Sequence, residues 1–231
     1  MTPADIPPAS EPERPARAGF SLPFDIVVAP GRAFLKIAKT GEWVPALVVI
    51  AVFGLATGAL ALPAIVHIET LATPGPPRPS PGQIQSAVMV GLAYQALFVP
   101  IFVAVLTAMT LTVVARFKDP HASFGRFFSL AVNCQVPTAL GGLLEVVPVA
   151  LRGPAAFPDL RALVLAVPLN LGVFAVPGNE RELEFLQHFD IFDVWASVLL
   201  AFGFSAFAGV RFAWALVIAF ALDLFFAFVF L

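Results

Sequence analysis

Charged residues divide this chain into long apolar runs, and the lengths of those runs set its architecture. Residues 43–66 hold 24 positions without a charge, between Glu42 and His67. A helix crosses the hydrocarbon core of a bilayer in about 20 residues, so this run predicts a first span. The next charge-free stretch, Pro79 to Ala115, is too long for one straight crossing and opens on the polar, proline-rich PSPGQIQS. A second span is therefore placed at 87–115, about 43 Å long at 1.5 Å per residue, tilted or kinked. Pro100 near its centre supplies the kink by removing a backbone donor. A polar hinge, 116–126, leads to a third span at 127–149, which carries Asn133, Cys134, Gln135, Pro137 and Glu145. Spans four and five follow at 190–210 and 212–231, separated by Arg211. One run is ambiguous: Ala162 to Asn179 has 18 uncharged residues but is interrupted by Pro168, Asn170, Gly172, Pro177 and Gly178. It reads as a partial or re-entrant insertion, or as a sixth crossing.

The first 42 residues contain seven prolines and mixed charges. Residues 1–23 are expected to be a disordered Pro-rich tail, with a membrane domain over 24–231. The tail lacks the basic start and short apolar core of a secretory signal, so the first span should remain in the mature protein. Five prolines within Leu71 to Gln83 predict an extended linker.

Composition agrees with the run lengths. Hydrophobic residues make up 59% of the 231, charged residues 12%, and the mean hydropathy is +0.92. Soluble domains carry about a quarter charged residues, so water is not the main solvent. The expected fold is all-α: a polytopic helical membrane protein with five transmembrane helices plus one partial or re-entrant apolar segment. One cysteine and three scattered histidines imply no disulfide, metal or cofactor site, and a net charge of −2 gives no nucleic-acid footprint.

Basic residues orient the chain. Five (Arg14, Arg17, Arg32, Lys36, Lys39) precede the first span, one (Arg78) follows it, and three (Arg116, Lys118, Arg126) follow the second. This predicts a cytoplasmic N-terminus. Over the whole chain, five and six spans both give nine basic residues inside and four outside, so charge does not choose between them.

The sharpest local pattern is GRAFLKIAKT. On a helix, Arg32, Lys36 and Lys39 fall within about 60° of one another, with Phe34, Ile37 and Ala38 opposite. Such a helix suits the cytoplasmic headgroup region, its cations facing anionic lipid. A positive-inside stop before the first span explains the same charges without binding. Asp223 lies 12 residues beyond Arg211, about 18 Å along the helix and near the membrane midplane. A carboxylate there must be paired, protonated or wetted. It is either a proton or substrate site, or a packing group bonded to Asn133 or Gln135. Glu145, a turn from its span's end, is expected to snorkel to the interface. Asn133 and Gln135 are expected to hydrogen-bond between helices, with Cys134 inert between them. An intramembrane serine protease fails because no histidine follows Ser205. An aspartyl protease fails because Asp193 and Asp223 lack flanking glycine motifs. Asp190 and Asp193 suit the start of the fourth span, favoured by the helix dipole.

The run FDIFDVWASVLLAFGFS, from Phe189, resembles the start of a late helix in the YIP family of Ypt/Rab-interacting membrane proteins, through Asp190, Phe192 and Trp195. APGRAF, with Pro30 and Phe34, and SFGRFFSLAVNCQVPTALGGLLEVVP resemble further family segments. The resemblance covers roughly Phe24 to Leu231. It implies five spans, a cytoplasmic N-terminus, and residues 162–179 as a partial insertion. Eukaryotic relatives act in vesicle traffic and bind prenylated small GTPases. This chain lacks the acidic, Tyr- and Gly-containing motif tied to that binding, and its one tyrosine, Tyr94, sits inside a span. Ten arginines to three lysines, with abundant Ala and Pro, point to a GC-rich bacterial genome and so to a bacterial inner membrane. The expectation is a non-enzymatic protein that organises bilayer or partner proteins, through anionic lipid, membrane-protein partners or self-association. The alternative is a small transporter, or a transporter subunit, using Asp223 and the polar third span.

Overall fold

A computed structural model describes residues 19–72, 80–167 and 169–229. Most of the Pro-rich tail, the centre of the 71–83 linker, Pro168 and Leu231 lie outside the described residues. Eleven α-helices are described: α1 (Ser21–Val28), α2 (Pro30–Thr40), α3 (Val44–Ala72), α4 (Pro81–Leu97), α5 (Val99–Arg116), α6 (Phe124–Cys134), α7 (Val136–Arg152), α8 (Leu160–Val164), α9 (Glu180–Leu186), α10 (Ile191–Ala208) and α11 (Phe212–Val229). Among the described residues there is no strand, only an isolated bridge between Asn170 and Asp190.

Five crossings are long and apolar enough to span a membrane: Val44–Leu71, Gly82–Arg116, Phe124–Arg152, Ile191–Ala208 and Phe212–Val229. Among the described residues of 162–179 there is no crossing helix. They continue α8, pass through a 3-10 turn at Leu171–Phe174 and lead to α9. Ala166 from this stretch, and Phe157 just before it, are buried with Ala64 of α3 and with Val146 and Val149 of α7. The segment therefore folds over the ends of two spans.

The second and third spans are each two helices joined at a break. At Phe98–Pro100 and Gln135–Pro137 a proline sits in the first turn of the following helix, where its missing N–H costs no intrahelical bond. The two breaks meet: Gln135 Nε2 donates to the Pro100 carbonyl at 3.2 Å. Helix α4 starts on a capping box, with the Ser80 hydroxyl accepting from Gln83 N (3.3 Å) and Gln83 Oε1 from Ser80 N (2.8 Å). Close helix contacts need small residues: a Cβ on Gly141 would lie 2.5 Å from the Phe192 ring, so α7 and α10 approach there only with glycine.

At one end of the bundle lies a helical hairpin, α1 and α2. The basic pattern does form a helix, started at Pro30 and stopped by Gly41 at φ 64°, whose N–H reaches the Ile37 carbonyl. Its apolar face is not in lipid. Ala33, Phe34 and Ile37 are buried in the main core, where the Phe34 ring meets Phe207 of α10 edge-on at 6.5 Å. Helix α1 begins at Ser21, inside the stretch expected as tail, and buries Leu22 and Ile26 in the same core. Lys118 Nζ donates to the Gly209 carbonyl (2.9 Å), tying the α5–α6 turn to the α10–α11 turn at this end.

Candidate functional site

Helix α10 organises the polar interior. The Asp190 carboxylate accepts from Phe192 N (2.6 Å) and Asp193 N (2.7 Å), satisfying two orphan donors of the first turn. Burial pushes the Asp190 carboxyl up, against the opposing pull of those two N–H groups. Asp193 and Ser197 follow at the i, i+4 spacing of one helix face. Asp193 Oδ1 accepts from the Thr138 hydroxyl of α7 at 2.9 Å. The Ser197 hydroxyl, 2% exposed, donates to Asp223 of α11.

Thr138, Asp193, Ser197 and Asp223 line a cavity of about 430 Å³ together with Gln135 at the broken third span and His188 from the α9–α10 turn. A second cavity of about 370 Å³ shares Pro100, Gln135 and Thr138 with it and extends toward Gly54 and Thr57 of α3. The break-to-break contact thus borders both cavities, and the carboxylates Asp193 and Asp223 belong to the first.

Several sequence expectations change here. Asp223 is the twelfth residue of the 18 in α11, so it lies nearer the middle of the helix than either end. Its partner is Ser197, not Asn133 or Gln135. Asn133, fully buried, instead donates from Nδ2 to the Glu42 carbonyl (2.9 Å) and to the Ser129 carbonyl (2.8 Å). Ser129 Oγ also donates to the Glu42 carbonyl at 2.6 Å, so the third span grips the linker between α2 and α3. Glu145 is half-buried: its Oε1 is enclosed without a hydrogen-bond partner, near where Phe157 packs with Val146 and Val149 of α7. Cys134 is buried, as an inert thiol in that setting requires.

The basic trio is likewise divided. Lys36 Nζ sits 2.5 Å from Asp25 Oδ2 on α1, and Arg32 approaches Asp25 at 4.0 Å. Only Lys39 has no polar partner among the described residues. The sequence reading missed Thr138, His188 and Ser197. For Ser197 the signal was present, four residues after Asp193 on the face that must look inward.

Chemically the chamber can hold a proton or a positively charged group between two carboxylates. The Ser197 hydroxyl donates to the Asp223 carboxylate, whereas His188 Nδ1 pairs with the Glu184 carbonyl at 2.6 Å. Among the described residues no three His, Cys, Asp or Glu converge to hold a metal ion.

A family model described as the Yip1 domain matches residues 24–231. No curated protein and no solved structure matches the chain.

Proposed function

The chain belongs to the Yip1-domain family, and from that premise we propose that it is a non-enzymatic organiser of the membrane, working through its α1–α2 end. The observation that carries this reading is the outer surface of the hairpin. Phe20, Phe24 and Val28 recur every fourth residue, 59–76% exposed, beside exposed Leu35. The Arg32 side chain is 74% exposed and Lys39 is exposed next to them. A helix that shows lipid a stripe of large apolar groups edged by cations lies in the headgroup region, each cation worth about 1 kcal/mol against anionic lipid. Membrane-protein partners or further copies of the chain are then gathered by faces of the spans.

The test places a polarity-sensitive dye on Phe24→Cys in a Cys134→Ala background, in vesicles with and without phosphatidylglycerol. Quenching by a lipid-borne nitroxide, stronger with the anionic lipid, is the expected result. Quenching by aqueous iodide alone would refute the lipid-facing hairpin.

We place this end in the cytoplasm of a bacterial inner membrane, on the count of basic residues. Five crossings then put the other chain end outside. A phosphatase fused after Leu231 should be active and a cytoplasm-only fluorescent reporter at the same point dark. A bright reporter with a silent phosphatase would overturn the orientation.

The polar chamber favours a second reading, as a small transporter or transporter subunit. Ionisable residues within membrane segments often mark ion or substrate paths. Two helices broken beside Asp193 and Asp223 resemble the discontinuous spans around transporter sites.

A further inference from the structure

We infer that the same end of the protein contains a pocket for a phosphate-bearing lipid headgroup, which shares Lys39 with the exposed hairpin surface; this rests on the lipid-facing reading above and names its ligand. A cavity of about 560 Å³ opens between α2, the α5–α6 turn and the end of α10. Lys39 and Arg126 both line it, and neither has a carboxylate within ion-pair distance among the described residues. Arg126 is held over the Phe207 ring at 5.5 Å, which steadies the guanidinium without neutralising it. His121 and Trp43 complete the rim.

The start of α6 faces the same space. Ser123 occupies its N-cap position yet makes no capping hydrogen bond, so the first-turn N–H groups have no side-chain acceptor. Ser123 and Gly125 both line the cavity. An anion placed there meets those donors and the positive end of the helix as well as two cations. The carboxylate on this wall, Asp119, is turned to its own loop, where Oδ1 accepts the N–H of His121 at 2.9 Å. Ile37, Trp43, Phe127 and Phe207 give the pocket an apolar side. A headgroup phosphate with the start of its acyl chains fits this pairing of charge and grease. A free phosphate would use the cations and the helix start alone.

The closing experiment uses the full chain in dodecyl maltoside micelles with Trp195→Phe and Trp214→Phe, leaving Trp43 as the reporter. Short-chain phosphatidylglycerol, short-chain phosphatidylcholine and inorganic phosphate are titrated separately. Phosphatidylglycerol should change Trp43 emission saturably. The Lys39→Ala/Arg126→Ala variant should raise the half-saturation concentration about tenfold or more, since charge-assisted bonds are lost. Arg126→Lys should recover part of the affinity, and unchanged thermal melting of each variant shows that folding is intact. Arg181→Glu, on α9 and outside both the pocket and the hairpin, should leave the titration alone. Loss of binding in Arg32→Glu with a normal Lys39→Ala/Arg126→Ala variant assigns the lipid to the hairpin surface, and overturns the pocket but not the lipid-facing reading. An equal response to inorganic phosphate assigns the source to solution rather than the bilayer and upholds the phosphate site. Identical titrations with phosphatidylglycerol and phosphatidylcholine, unmoved by Lys39→Ala/Arg126→Ala, overturn it.

Discussion

Removing both donors that hold the Glu42 carbonyl, by Ser129→Ala with Asn133→Ala, should cost about 3 kcal/mol of stability and loosen the α1–α2 hairpin. Ser129 Oγ and Asn133 Nδ2 reach that carbonyl at 2.6 and 2.9 Å from successive turns of α6. Ser129 and Asn133 are both fully buried, so Asn133→Ala also leaves a void. Glu42 is more than a link. Its Oε2 accepts from Gly19 N at 3.1 Å, so the start of α1 and the end of α2 converge on one residue. Either single variant leaves one donor in place and should lose about half as much. Thermal melting in detergent reads the stability, and limited trypsin digestion at Arg32, Lys36 and Lys39 reads the hairpin. Faster cleavage there than at Arg181 is the expected pattern. Unchanged melting and cleavage in the double variant would show that the hairpin is held by its apolar face alone.

That anchor was half legible in the sequence. An Asn in the middle of an apolar run must find partners, and interhelical bonding was the right kind of answer. Its partner is a backbone carbonyl ninety-one positions away, which no spacing reveals. The five crossings were readable because charge is costly in hydrocarbon, so gaps between charges mark spans directly. Their ends were less so: α3 continues through His67 and Glu69 to Ala72, since nothing in those residues breaks a helix once it has left the bilayer core. The early start of α4 did carry a signal, the S-x-x-Q spacing of Ser80 and Gln83. Helix α1 was hidden by the prolines around it, and with it the Asp25 that takes up Lys36. The kink at Pro100 was visible in the sequence, whereas the break before Pro137 and the contact of the two through Gln135 depend on how these helices pack. The Asp223–Ser197 pair stayed hidden for the same reason, because it joins two helices whose mutual rotation the sequence does not state.

The second large effect concerns which end of the molecule does the work. Arg32→Glu with Lys39→Glu reverses two exposed cations while leaving the Lys36–Asp25 pair in place. At about 1 kcal/mol per cation, with repulsion from anionic lipid added, the hairpin should leave the headgroup region. Asp223→Asn, by contrast, keeps a hydrogen-bonding partner for Ser197 and needs no proton, so packing should survive. A transporter predicts the opposite order, because an amide cannot titrate. Complementation of a deletion strain by the two variants, at matched membrane levels, sets these against each other. Loss of function in Arg32→Glu/Lys39→Glu with near-normal Asp223→Asn is what the organiser account predicts, and loss in Asp223→Asn with a tolerated charge reversal would contradict it.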